Sequence, residues 1–273
     1  MTDTFTAALI QTTTGRDPAV SMGSILPLIT EAAARGADWV MLPETVAMME
    51  PDPVRLKEKA RSEGGIIELD QLRTAAHAAG VWLLVGSLVV RDVGSEKLAN
   101  RSFLIDPSGA IVARYDKIHL FDVELASGER YRESANYTPG ETLVTADTPW
   151  GCLGMSICYD LRFPHLYRAL VRRGALFLSV PAAFTRPTGQ AHWHALLRAR
   201  AIENGCFVFA PAQCGEHEGG RRTYGHSLIV DPWGEVIADG GDTPGIVLAK
   251  IDVNRVAAVR AQVPSLDHDR PFS

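Results

Sequence analysis

Long apolar runs are missing from this sequence of 273 residues. No stretch approaches the roughly 20 residues that a membrane-crossing helix needs, and Met1 to Ile10 lacks a basic start followed by an apolar core. Neither a membrane span nor a secretory leader is expected. Runs of like charge are missing too. The 27 Lys and Arg stand against 32 Asp and Glu, a formal charge of −5. That excludes the basic footprint of a nucleic-acid binder and a polybasic membrane patch. Cysteine is scarce: Cys152, Cys158, Cys206 and Cys214, with no pair at C-x-x-C spacing. This argues against a disulfide framework and for a reducing, cytoplasmic compartment. Neither Gly-x-Gly-x-x-Gly nor a phosphate loop follows the first strand-like segment, so a doubly wound nucleotide fold is not expected. The histidines show no metal-ligand spacing. His192 and His194 are two apart on a helical stretch and do not share a face, and His217, His226 and His268 have no ligand spacing nearby. No metal site is expected.

What is present is an ordinary globular composition, 46% hydrophobic and 22% charged, long enough for a core without staples. A single α/β domain over residues 1–273 is the expectation. Strand patterns cover Thr4–Thr12, Trp39–Leu42, Val81–Val90, Thr142–Thr148, Gly151–Ile157, Ala175–Val180, Phe207–Ala212 and Ile246–Ile251. Helical patterns cover Asp17–Arg35, Ile66–Ala79, Pro164–Arg173, Gly189–Asn204 and Val253–Gln262, several closed by glycine. Pro27 falls inside the first of them. Phe121–Gly140 is a long polar loop, of the kind that is usually functional or mobile. The tail, about 262–273, is expected as an arm docked on its own chain or on a partner subunit.

Two segments repeat. Ser102–Ala113 carries the turn Asp106-Pro107-Ser108-Gly109, and Ser227–Ala238 carries Asp231-Pro232-Trp233-Gly234. Both read as type I turns between antiparallel strands. Glu31–Pro43 likewise resembles Ala169–Pro181. The expectation is an internal pseudo-twofold, two mostly β layers packed face to face with helices outside. Chance similarity of common α/β elements is the alternative.

Three positions could carry chemistry. Cys158 ends the apolar run Gly151–Ile157 and is followed by the helix opening at Pro164, a strand-to-helix elbow where backbone N–H groups can hold an anion. A small buried thiol is the competing reading. Glu44 ends the run Met41-Leu42-Pro43, where a carboxylate is costly to desolvate unless paired or used, or is a surface turn residue. Lys117, in Tyr115-Asp116-Lys117-Ile118-His119-Leu120, is either a solvated strand end or a fixed charge beside an oxyanion. Glu133 in the long loop would hold such a lysine protonated and oriented. A cysteine–histidine dyad using His119, His165 or His226 competes with this set.

Leu42-Pro43-Glu44, Tyr115–Asp122 and Gly154–Pro164 together, in this order, resemble the catalytic triad motifs of the nitrilase superfamily, the carbon–nitrogen hydrolases. The resemblance runs from the first strand to about Pro271. It implies the α-β-β-α sandwich, a homodimer or larger homo-oligomer, a small-molecule amide substrate, and no cofactor. It implies Cys158 as nucleophile, Glu44 as general base and Lys117 as oxyanion partner, with Glu133 aiming Lys117 and the backbone N–H of Tyr159 as a second oxyanion donor. Arg132-Glu133-Ser134, Phe184–Trp193, Leu197–Glu203, Ala212–Gly215, Tyr224–Ser227 and Val230–Gly234 resemble the Nit branch, the deaminated glutathione amidases. That branch implies hydrolysis of deaminated glutathione to 2-oxoglutarate and cysteinylglycine, a metabolite repair. Its carboxylates call for cations; Arg162, Arg186 and Arg198 are candidates, each equally a structural salt-bridge partner. Phe184, Thr185 and His192 are further candidates for substrate contact. His194 stands where the family more often has glutamate, and 126–130 also departs from the branch pattern. An ω-amidase acting on 2-oxoglutaramate, an acyltransferase and a silent binding scaffold are the alternatives.

Overall fold

The computed structural model describes residues 3–92, 94–124 and 128–270. The first half runs β1 (Thr4–Gln11), α1 (Pro18–Ala34), β2 (Trp39–Met41), α2 (Pro53–Lys59), α3 (Ile67–Ala79), β3 (Trp82–Arg91), β4 (Leu98–Ile105) and β5 (Ile111–Asp116). A small hairpin, β6 (Asp122–Glu124) and β7 (Arg130–Arg132), lies within the long loop. The second half runs β8 (Thr145–Thr148), β9 (Gly151–Met155), α4 (Pro164–Arg172), β10 (Ala175–Ser179), α5 (Arg186–Asn204), β11 (Phe207–Ala210), β12 (Cys214–Glu216), β13 (Arg222–Tyr224), β14 (Leu228–Val230) and β15 (Val236–Asp239). The chain then returns with β16 (Gly245–Asp252) and ends in α6 (Asn254–Gln262).

Local chemistry accounts for most boundaries. The Asp17 carboxylate accepts from the N–H of Ala19, and Pro18 occupies the first turn of α1, where no N–H is required. Pro27 sits inside α1 on its exposed side, so the Gly23 carbonyl it deprives of a partner faces water. Helix α5 starts at Arg186, ahead of the expected Gly189, because Pro187 fits the first turn. Asp52 caps α2 by accepting from Val54 and Arg55; this short helix and the β12–β13 hairpin are absent from the sequence pattern.

The two six-stranded sheets repeat one plan. Their orders are β16-β1-β2-β3-β4-β5 and β8-β9-β10-β11-β14-β15. In each, three central strands are parallel and the flanking pairs antiparallel. The hairpins match in register: Phe103 pairs with Arg114 and Leu104 with Ala113, while Leu228 pairs with Asp239 and Ile229 with Ala238. Both registers then shift at the next pair, Ile105 with Ile111 and Val230 with Val236. The second set is the first displaced by 125 residues (Phe103 to Leu228, Leu104 to Ile229, Ile105 to Val230). The two hairpins lie in different sheets, as an internal pseudo-twofold requires.

Between the sheets lies an apolar core with aromatic residues from both halves. Phe5 stacks on Trp150 at 4.4 Å and meets Phe177 edge-on at 5.6 Å, and Trp39 meets Phe177 edge-on at 6.0 Å. Outside, α1 and α3 bury Ile25, Ile29, Leu69 and Leu72 on the first sheet. Helices α4 and α5 bury Leu166, Leu170, Trp193 and Leu197 on the second. The result is the α-β-β-α sandwich. Past α6, Leu266 packs on the core and Arg172 of α4 donates to Asp269 at 2.6 Å, so this part of the tail docks on its own chain; 271–273 lie outside the described residues. Among the described residues no helix is long and apolar enough to cross a membrane.

Candidate active site

Cys158 stands at the elbow between β9 and α4. Its φ is +50°, a left-handed conformation rare for a residue with a side chain and costing about 1–3 kcal/mol. Neighbouring groups hold it there. The Cys158 N–H donates to the Pro181 carbonyl at 2.9 Å. Asp160, fully buried, accepts from the Ile157 N–H at 2.8 Å, the His119 N–H at 3.0 Å and the Tyr115 hydroxyl at 2.7 Å. One carboxylate thus ties the elbow of the second half to the exit of β5 in the first. The N–H of Tyr159 meets no acceptor among the described residues.

Glu44 arrives from the exit of β2. Its approach depends on Gly86 in β3, where a Cβ would lie 2.0 Å from the Leu42 carbonyl oxygen and 2.3 Å from that of Pro43. The carboxylate is 4% exposed at the residue level and has three hydrogen-bond donors. Oε1 accepts from Lys117 Nζ at 2.9 Å and from Asn100 Nδ2 at 3.0 Å, and Oε2 accepts from the Ala183 N–H at 2.8 Å. Lys117, 2% exposed, leaves β5 with its own N–H bonded to the Asn100 carbonyl. Its ammonium also donates to both oxygens of Glu133, at 3.0 and 2.8 Å. Glu133 is fixed in turn by the Phe121 N–H at 2.6 Å and by Asn100 Nδ2 at 3.2 Å.

The charges follow from this packing. Burial works against the Glu44 carboxylate, but the Lys117 charge and the hydrogen bonds of Lys117 and Cys158 outweigh it and hold its pKa below the usual carboxylate value. Burial also works against the Lys117 ammonium, and the carboxylates of Glu133 and Glu44 outweigh it, holding the pKa well above the ordinary one. The Cys158 thiol goes the other way. Burial, then the charge of Glu44, push its pKa well up against the pull of Lys117. The resting arrangement is a neutral thiol beside a carboxylate that a buried lysine keeps ionised. Such a thiol becomes a nucleophile when the carboxylate takes its proton as the new bond forms.

An open cavity of about 530 Å3 reaches Glu44, Asn100, Glu133 and Tyr137, and is walled by Phe121, Tyr131, Ala183 and Arg221 among others. A pocket of about 20 Å3 adjoins it through Phe121 and Ala183 and is lined by Cys158, Tyr159, Phe184, Thr185 and Thr188. Phe184 and Thr185 therefore lie next to the cysteine. Arg162 sits behind them, its guanidinium 5.4 Å from the Phe184 ring and 5.8 Å from the Tyr159 ring, with His192 Nδ1 at 3.4 Å. Arg186 opens onto a separate cavity beside Tyr224 and His226. Arg198 is used elsewhere: its Nε donates to the Gly234 carbonyl at 2.8 Å, joining α5 to the β14–β15 turn. The candidate histidines of a cysteine dyad are also engaged elsewhere. His119 bonds Asp160 at 2.7 Å and stacks on Phe163, His165 meets that ring edge-on, and His226 faces Asp239. Of the departing loop at 126–130, residues 126 and 127 lie outside the described residues; Arg130 lines the large cavity.

Four participants are not singled out by the sequence, and three of them lie outside its motifs. Asn100 bridges both carboxylates; its only sequence signal is an amide inside a strand, where such residues are depleted. Asp160 stands in the Cys158 motif but shows its function only through the four donors it gathers. Tyr137 is a neutral phenol whose pKa is raised by burial and then by the charges of Glu133 and Glu44. Arg221 donates to the Ala183 carbonyl at 2.6 Å, lies over the Tyr131 ring at 5.4 Å, and keeps a buried Nε without a partner among the described residues.

Known proteins share this architecture. The family model described as carbon-nitrogen hydrolase matches residues 6–261. A Yersinia enterocolitica protein named deaminated glutathione amidase is 42% identical over 265 residues, 96% of this chain and 92% of that one. A Synechocystis protein of the same name is 42% identical over 267 residues, 97% of each. The crystal structure of the C. elegans NitFhit protein superposes with a TM-score of 0.93 at 37% identity, covering 98% of this chain and 66% of that longer one. Matched over nearly its whole length by family model, relatives and fold alike, this chain belongs to the carbon–nitrogen hydrolase family.

Proposed function

We propose that the chain hydrolyses the amide of deaminated glutathione through a thioester on Cys158, releasing cysteinylglycine and 2-oxoglutarate. The observation that carries the reading is the row Cys158–Glu44–Lys117–Glu133, a buried thiol beside a carboxylate held ionised by a paired lysine. Two relatives of 42% identity bear the name deaminated glutathione amidase and supply the substrate.

In this reading Sγ of Cys158 attacks the carbonyl carbon while Glu44 takes the thiol proton. The carbonyl π pair moves onto oxygen, where Lys117 Nζ and the Tyr159 N–H receive the charge. Loss of one such donor typically costs about 3–4 kcal/mol. The intermediate collapses, the C–N bond breaks, and Glu44 delivers its proton to the departing amine of cysteinylglycine. A water then attacks the thioester with Glu44 again as base, and the thiolate leaves and is reprotonated. Glu133 and Asn100 keep Lys117 and Glu44 in register throughout. The substrate's carboxylates meet the cations of the large cavity. Arg221 supports this best, since it lines that cavity beside Tyr131 and Ala183 and carries a charge suited to a carboxylate.

Rates on deaminated glutathione and on 2-oxoglutaramate, measured side by side, test the substrate. A larger kcat/KM for deaminated glutathione is expected, and the reverse order makes the chain an ω-amidase. Mass spectrometry of a slow variant tests the chemistry. An acyl adduct on Cys158 is expected, and one on Cys152, Cys206 or Cys214 overturns the assignment.

A further inference from the structure

At the end of the second hairpin three metal-ligating side chains converge, all outside the two adjoining cavities at Glu44 and Cys158. His194 projects from α5, His226 precedes β14 and Asp239 ends β15. One ligand atom from each lies within 4.8 Å of the others. His194 and His226 lie 45 and 13 residues from Asp239, respectively, so no sequence spacing announces them. We propose that His194, His226 and Asp239 form a binding site for a divalent transition-metal ion of borderline softness, of the zinc, cobalt or nickel kind.

Two of the distances suit the coordination sphere of an ion, and the third, His226 Nδ1 to Asp239 Oδ1 at 2.9 Å, is a hydrogen bond that an ion would replace. A tetrahedral centre with bonds of about 2.0–2.1 Å separates its ligand atoms by roughly 3.3 Å. Asp239 Oδ2 lies 3.3 Å from His194 Nε2 and 3.1 Å from His226 Nδ1. The first is long for a hydrogen bond to a carboxylate, which settles near about 2.7–2.9 Å when charge-assisted. It fits the edge of a coordination tetrahedron. Two imidazoles and one carboxylate select against magnesium and calcium, which take oxygen donors.

The ligands are also held before any ion arrives. Asp239 Oδ1 accepts from the Gly241 N–H at 2.9 Å. His226 is clamped by its own N–H to the Gly241 carbonyl at 2.5 Å and by its carbonyl to Trp193 Nε1 at 2.8 Å. Its φ of +54° is a strained value that this clamp maintains. The Tyr224 ring stacks on it at 4.4 Å. The three side chains are about one quarter to one third exposed, so an ion can enter and keep a water as its fourth ligand. Bound there, it would fasten α5 to the β14–β15 hairpin.

The test uses full-length protein without a polyhistidine tag, carrying Cys158→Ala to remove a competing thiol, and stripped with chelator. Zn2+ is titrated by calorimetry and Co2+ by visible absorption. One ion per chain, four-coordinate cobalt bands and a higher unfolding temperature with zinc are expected. His194→Gln and Asp239→Asn are each expected to weaken binding at least ~30-fold, beyond the lower range for losing an outer partner. No saturable binding overturns the proposal, and so does binding of one ion that His194→Gln leaves unchanged. His194 lies on a solvent-facing turn of α5, so this variant keeps the test decisive if Asp239→Asn fails to fold.

Discussion

The two hairpins of the sandwich share strand order, register and even the point where the register slips, yet their open ends hold opposite chemistry. The first, β4–β5, presents Asn100 and Lys117 in a buried network. At the corresponding positions, 125 residues on, the second presents Gly225 and an exposed Asp242. Gly225 has no room for an amide: a Cβ there would lie 2.8 Å from the Gly241 carbonyl oxygen. Repetition of a backbone therefore does not repeat a site. A buried ammonium is tolerated only where carboxylates from elsewhere meet it. Glu44 comes from the exit of β2 and Glu133 from the loop between the halves, and both converge on the first hairpin alone. The second half contributes the elbow, Cys158, and the Ala183 N–H instead.

The sharpest break of this division is Cys158→Ala. Amide hydrolysis is expected to fall by about 10⁴-fold or more, since the residual rate rests on binding and the oxyanion donors alone. The unfolding midpoint should hold, which circular dichroism checks. Next comes the lysine. Lys117→Met strands the buried Glu44 carboxylate and the half-buried Glu133, and a loss of about 10³-fold in kcat is expected. A destabilisation of about 3–5 kcal/mol at neutral pH accompanies it. Its counterpart Asp242→Asn is expected to stay within about 0.5 kcal/mol of the parent in the same urea titrations. Equal effects at the two positions would erase the contrast.

A subtler exchange gives the first hairpin what the second already has. Asn100→Gly removes the donor shared by Glu44 and Glu133. Steady-state kinetics should show kcat/KM falling about 10–100-fold, and denaturant unfolding a loss of about 1.5–3 kcal/mol. The smallest effect is in pH. The Glu44 pKa lies below its unfolded value of 4.5. Its contribution is therefore fully present above pH 4.5 and is lost as the pH falls through the lower, folded value. Lys117 is shifted up from 10.5, so its contribution is complete below that pH and is lost only as the pH rises through the higher, folded value. Thermal unfolding from pH 6 downward should show a decline below pH 4.5 that is shallower in Glu44→Gln. An unchanged slope would place the acid-sensitive group elsewhere.

Much of this was legible from short-range signals. Asp17-Pro18 caps α1, Gly80 with φ +66° stops α3, and the two Asp-Pro turns close hairpins in one register. Each depends on groups a few residues apart, which a sequence displays directly. Helix α2 escaped because its single cap opens only seven residues. The β12–β13 hairpin escaped because strands of three residues carry no alternation to read. Arg198, one of the three arginines expected to meet a substrate, spends its guanidinium on a turn carbonyl, while Arg221, which is not among them, opens on the cavity. Nothing local distinguishes them.

The sequence alone determined which residues end strands: Glu44 after Pro43, Lys117 after β5, Cys158 at an elbow before Pro164. It also carried the repeat that makes two matching sheets. Only the tertiary structure decided which of those ends face each other. It brought Glu44 to a backbone amide 139 residues away and Lys117 to a carboxylate 73 residues away. It also gathered His194, His226 and Asp239 from three separate elements. The physical reason is range. Caps, turns and alternation act within a few residues, whereas the pairing of buried charges is fixed by how two sheets pack.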